Sequence, residues 1–350
     1  MESSHDQAIV DDQTTPKDIV VRFGKIEDIG DGVTAEVYDG GKVTVHNGGH
    51  ANIRVRGEAD VREGGTADIY EGGEVVIRWG GHAAVHDGGN AIIKDGGMAD
   101  LYGGQAVVKD GGMTHVHGGE AFVRDGGDAT VHAGGHASVE GGELIVLTDG
   151  EADVKDGGYA SVDGGYVVVH RGGEADIYDH GEAEVREGGK VVVQFGGFAT
   201  VREGGEAEIY AGNAVVERRG LAYVYDKGHA DINDGGATRV YDGGSADVLS
   251  GGYADVYGNG RAVVYEDGVA FVHNNGHADV REGGTAHVRE CGNAEVYAGG
   301  NAVVYRGGLA VLHDGSHVEV QEGGRTVMYE KSIESEQADR DVDEIAGRRR

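Results

Sequence analysis

The feature that most restricts this chain is an octapeptide, x-Ala-x-Val-x-x-Gly-Gly, which recurs from about Glu36 to Tyr329. Glu58-Ala-Asp-Val-Arg-Glu-Gly-Gly and Thr66-Ala-Asp-Ile-Tyr-Glu-Gly-Gly are adjacent examples. Ala and Val stand two residues apart, so in an extended segment both face one side and the flanking residues face the other. Each unit therefore reads as a short half-buried strand closed by a corner. Asp-Gly-Gly, Glu-Gly-Gly and Asn-Asn-Gly suit the corners, because Gly and Asn accept positive φ at low steric cost. One such strand cannot bury its Ala/Val face alone. Stacking coils at about 4.8 Å sets every side chain on its equivalent in the next coil. The expected fold is all-β: a single-stranded β-solenoid (β-helix), its handedness left open.

Composition agrees with that reading. Gly is 68 of 350 residues and Pro only 1, which excludes collagen, where both are needed. The absence of long insertions between units predicts coils of nearly constant length.

Coil size is read from the outward residue between Ala and Val. In every third unit it is apolar at Val76, Phe122, Ile145, Val168, Val192, Val215, Val263 and Val311, and polar at Asp100, Arg239 and His287. A period of three units predicts a triangular coil of three strands and about 24 residues. On that geometry the eight apolar residues line up outside the solenoid as a stripe. Contiguous exposed apolar surface usually marks an interface, so a homodimer or other partner contact is expected there. The same geometry stacks Glu184, Glu208, Asp231, Asp255 and Asp279 as an acidic ladder, a face for cations or a basic partner. Arg186, Arg202 and Arg281 lie close enough along the strands to pair with it instead.

Three segments follow from where the repeat holds. Residues 1–20 are polar, carry the single proline Pro16, and are expected to form a disordered tail. Residues 21–330 form the solenoid, and 331–350 form a short C-terminal helix or tail.

A formal charge of −32 disfavours direct nucleic-acid binding, which rests on Lys and Arg neutralising phosphates. The N-terminus has no basic segment followed by an apolar one, so no Sec signal is expected. The cytoplasm is then the default location, with signal-independent export or a virion left open. No apolar run is long enough for membrane insertion. Cys291 is the only cysteine, which rules out an intrachain disulfide. It occupies a corner position usually held by Gly. The 17 histidines show no fixed ligand set and read as polar surface. Neither a cofactor nor a catalytic constellation is expected: no phosphate-binding GxxxxGK[ST] motif occurs, and uniform coils leave no loops to wall a cleft. Tyr70, Tyr178, Tyr210, Tyr257, Tyr265, Tyr297 and Tyr305 point outward, either stacked on one another or offered as platforms to sugars.

The Gly-Gly units, such as Gly64-Gly-Thr-Ala-Asp-Ile-Tyr-Glu-Gly-Gly, resemble the repeats of AIDA-type autotransporter passenger domains. The likeness covers about four-fifths of the chain. It implies a β-solenoid with a role in adhesion to protein or glycan surfaces. Two features depart from that family: the repeat is eight residues throughout, and neither a signal peptide nor a membrane barrel accompanies it. The expected function is therefore a non-enzymatic structural or adhesion-type β-solenoid presenting acidic and apolar faces. The alternative is an acidic decoy that mimics nucleic acid and inhibits a basic DNA-binding enzyme.

Overall fold

A computed structural model describes residues 17–329. These residues form 40 short strands and no helix, and the whole of the described chain is β-solenoid. The first strand, Lys17–Val21, begins inside the segment expected to be a tail. The rest of that segment and the expected C-terminal helix lie outside the described residues. The described residues divide into two compact units, 17–176 with 180–182, and 177–179 with 183–329.

Both units are built alike. Alternate strands belong to two parallel sheets, so each coil has two strands, not three. In the first unit, one sheet contains the strands Val33–Val37, His50–Ile53 and Thr66–Ile69, and the other contains Lys42–Val45, Glu58–Val61 and Glu74–Ile77. We call these the first and second sheets, and in the second unit the same names apply to the sheets of Lys190–Val193 and Phe198–Val201 respectively. Lys42 pairs with Glu58, 16 positions on. Where a corner is one residue shorter, as at Tyr102-Gly-Gly, the step falls to 15, as between Asn90 and Gln105.

The three-strand, 24-residue expectation is thus corrected to two strands and 15 or 16 residues. The physical reason lies in the interior. Most units send only Ala and one Val, Ile or Leu inward, as in Ala262 and Val264, both 2% exposed or less, and a few place Val or Leu at the Ala position, as at Val75, Leu144 and Val191. Side chains this small fill the slot between two facing sheets. A triangular coil encloses a wider space and needs larger residues to reach close packing. Where a polar residue takes the inward Ala position it is satisfied locally. Thr114 Oγ1 donates to the Ala99 carbonyl at 3.0 Å, and Thr238 Oγ1 to that of Ala222 at 3.2 Å.

The corners explain the paired glycines. At residues 233–236, Asp234 (φ 47°) and Gly235 (φ 82°) are both left-handed, and the Gly236 N–H closes on the Asn233 carbonyl at 2.8 Å. That is the φ pattern of a type I′ turn. At residues 62–65 only Gly64 is left-handed (φ 68°), the pattern of type II. The first glycine of a pair answers a conformational need, which Arg56, Arg219, Asn275 and Cys291 meet elsewhere at φ between 61° and 68°. The second answers a steric one. A Cβ at Gly236 would lie 2.4 Å from the Val216 carbonyl oxygen of the preceding coil.

Candidate functional site

With two strands per coil, every third unit falls alternately on one sheet and then the other. The eight apolar residues are therefore divided between the sheets. Val76, Phe122 and Val168 lie on the second sheet of the first unit, and Val215, Val263 and Val311 on the second sheet of the other. Ile145 and Val192 lie on first-sheet strands. All eight point outward, but no single stripe joins them. In the second unit the in-register neighbours of Val263 are Asp247 and Asp279.

A contiguous apolar surface does exist, and it is shorter. On the second sheet of the first unit, Val76 pairs with Ile92, Ile92 with Val107, and Val107 with Phe122. Four neighbouring rungs thus carry outward apolar side chains, along a shallow groove of about 350 Å³. Ile92 is 41% exposed. Ile92 and Val107 escape a search confined to every third unit. Reading every second unit, 15 or 16 residues apart, would have found them. A second shallow groove of about 340 Å³ lies on the first sheet of the same unit, beside Met98, Met113, His115 and Ile145.

The acidic residues are divided in the same way. Glu208 and Asp255 stand on first-sheet strands, and Glu184, Asp231 and Asp279 on second-sheet strands. The expected ladder is not formed, because its members alternate between faces. Glu208 has Val192 and Tyr223 as neighbours, and Asp255 has Arg239 and Phe271. Arg186 pairs with Glu184 at 2.9 Å, and Arg202 reaches the same carboxylate at 3.8 Å. Arg281 instead lies over the Tyr297 ring, 4.0 Å from its centroid. Asp231 and Asp279 keep acidic neighbours: Asp247 and Glu295 respectively.

Aromatic residues that follow the inward Val form stacks along the coils. Tyr210, Tyr225, Tyr241, Tyr257 and His273 are successive, with ring centroids 4.9 to 5.7 Å apart. In the first unit Tyr70, His86, Tyr102, His117 and His132 do the same, at 4.3 to 6.0 Å. Rings stacked on one another do not offer their faces to sugars, so the platform option does not apply within a stack. Burial pushes the Tyr225 and Tyr257 hydroxyls above the ordinary tyrosine range, with neighbouring Tyr241 and Asp255 respectively acting the same way. His132 is displaced downward by burial and then by His117 and His115, and its Nε2 is buried without a hydrogen-bond partner.

The histidines are more ordered than a scattered surface. Six of the described histidines pair with carboxylates across coils, among them His82 with Asp100 at 3.0 Å, His86 with Asp68 at 3.1 Å and His170 with Asp153 at 3.0 Å. An open charged depression of about 520 Å³ beside Arg124, Glu140, Lys155 and His170 is lined by groups of both signs. Its Lys155 donates to Ser138 Oγ at 2.9 Å.

No protein-family model matches this chain, and no curated protein does. Among solved structures, one that matches is the crystal structure of a TibC-catalysed hyper-glycosylated TibA fragment. It is 20% identical and covers 90% of this chain and 97% of its own, with a TM-score of 0.19. So low a score carries no argument about function.

Proposed function

We propose that this protein is a non-enzymatic structural or adhesion-type β-solenoid that docks partners on its flat sheet faces. The observation that carries the reading is the run Val76, Ile92, Val107 and Phe122, four outward apolar rungs on consecutive coils. A regular two-sheet coil holds such a surface rigidly, because each rung is hydrogen-bonded to its neighbours on both sides. Docking there would need little ordering of the protein, which lowers the entropic cost of binding. The resemblance of the Gly-Gly repeats to autotransporter passenger repeats points the same way. Alternation of acidic residues between the faces, with Arg pairing at Glu184, argues against a continuous strip of charge imitating nucleic acid.

Light scattering of the purified chain at low and high salt tests the reading, with Ile92→Lys and Val107→Lys as variants. A homodimer that persists at high salt and dissociates in both variants is the expected result. A chain that stays monomeric, and binds immobilised protein or glycan surfaces no better than the variants do, would overturn it.

A further inference from the structure

Five outward histidines directly precede an inward Ala and are followed, one coil on, by a carboxylate at the third strand position. The pairs are His50 with Asp68, His82 with Asp100, His136 with Asp153, His229 with Asp247, and His277 with Glu295. What differs is the residue two places after the histidine. It is Asn52, Ala84 and Ser138 in the first three, but Asp231 and Asp279 in the last two. Positions one and three of a strand face the same side, and in-register pairing sets Asp231 beside Asp247 and Asp279 beside Glu295. One imidazole nitrogen and two carboxylate oxygens therefore converge twice on the second sheet of the second unit. In each trio, His229–Asp231–Asp247 and His277–Asp279–Glu295, the three ligand atoms lie within 4.8 Å of one another.

We propose that these two trios are divalent transition-metal sites, each supplying one nitrogen and two oxygen ligands to an ion of the zinc, cobalt or manganese type. Three features converge on that assignment. The donor set is mixed nitrogen and oxygen, which suits first-row ions; calcium takes six to eight oxygens. Three protein ligands leave coordination positions for water or a partner's side chain. In the first trio the ring position is also fixed from behind. His229 Nδ1 is hydrogen-bonded to Ser245 Oγ at 2.9 Å, which directs Nε2 towards Asp231 at 3.2 Å. Support of that kind orients a metal-binding imidazole. In the second trio, His313 stands 2.7 Å from Glu295 Oε1 and is held between Tyr297 and Tyr329, each 4.4 Å away between centroids.

Electrostatics add an independent reason. Like charges directly opposite on neighbouring strands are unfavourable, and both trios contain such a pair. Asp247 accepts no hydrogen bond among the described residues. A bound dication would relieve both carboxylates. The recurrence of the whole trio three coils on makes it part of the repeat, not a single coincidence.

This inference is independent of the adhesion reading and is tested on the full chain without any partner. Zinc is titrated calorimetrically, and cobalt is followed by its visible absorption. Two equivalents of each ion are expected. Asp247→Asn and Glu295→Gln should each remove one equivalent, and the double variant both. Asn52→Asp, which gives His50 and Asp68 the missing third ligand, should add one. All these positions are outward on strands, so folding should persist, and circular dichroism checks it. The proposal is overturned if the double variant keeps the zinc stoichiometry, which would place the ion at other histidines. It is equally overturned if zinc does not bind, or if calcium displaces it at comparable concentration, since the trios would then act only as diffuse acidic surface.

Discussion

The corner at residues 233–236 separates two reasons for glycine that the sequence shows only as a pair. Gly235 (φ 82°) has nothing within 4 Å of where a Cβ would be, so alanine there meets only the left-handed backbone penalty, about 1–2 kcal/mol. At Gly236 a Cβ would lie 2.4 Å from the Val216 oxygen and 2.8 Å from its carbonyl carbon. Carbon–oxygen contacts settle near 3.3 Å or more, so the two coils must part by roughly 0.9 Å. Two hydrogen bonds flank the contact, Asn233 N–H to Val216 and Ala237 N–H to Gly220, both 3.0 Å. Stretched by that amount they leave the bonding range, with a net loss of about 0.5–1.5 kcal/mol each. Adding about 1–3 kcal/mol for overpacking, partly the same displacement counted again, gives roughly 2–4 kcal/mol for Gly236→Ala. Stacked repeats need not unfold in one step, so a global midpoint is a poor probe. Hydrogen exchange at amides 233 and 237 reads the local opening directly. Gly236→Ala should deprotect both far more than Gly235→Ala does. Equal deprotection by the two variants would refute the steric account of the second glycine.

Two further outcomes follow from the side chains. Tyr241 stacks on Tyr225 at 4.9 Å and on Tyr257 at 5.7 Å, so Tyr241→Ala should cost about 1–3 kcal/mol for the two contacts, whereas Tyr241→Phe should cost little. Hydrogen exchange at the amides of Tyr225, Tyr241 and Tyr257 in the two variants measures the difference. His132 and His287 are both displaced downward by burial, so the unfolded chain binds protons there more readily than the folded one. Their contribution is therefore complete above the ordinary histidine range and is lost as pH falls through it. A thermal melt followed from pH 8 to 5 should lose stability on acidification, and His132→Gln with His287→Gln should flatten that slope.

Much of the fold was legible because the repeat states its own rules. The Ala-x-Val spacing marks each strand, and the corners from Gly41 to Gly308 all close on a glycine, as the blocked Cβ at Gly236 requires. The number of strands per coil was not legible from the outward residues. Val76, Phe122 and Val168 repeat with a chemical period that does not equal the geometric one. A better signal lay inside, where Ala262 and Val264 are too small for a wide coil. The apolar run was half visible: Val76 and Phe122 were found, and Ile92 and Val107 were hidden by the assumed period. Histidine chemistry was missed for a related reason. A single strand shows His229 and Asp231 side by side, but Asp247 joins them only once the coil length is known.

That mismatch of periods has a consequence for the surface. If outward residues repeated once per coil, parallel in-register stacking would set identical side chains in unbroken rows. Rows of Asp would repel, and rows of Val would make a long sticky strip prone to self-association. A chemical period of three units on a two-unit coil returns the same residue to the same face only every third coil. On the second sheet of the second unit the outward order is Val215, Asp231, Asp247, Val263, Asp279, Glu295, Val311. Each Val is followed by two acids and no row exceeds two, so charge and apolar surface are both divided. The exception is then informative. The four-rung run from Val76 to Phe122 breaks the interruption in the first unit, whereas in the second unit each acid pair keeps it and is joined by a histidine, His229 or His277. The proposed docking surface stands where the interruption stops, and the proposed metal sites stand where it is kept and a histidine is added.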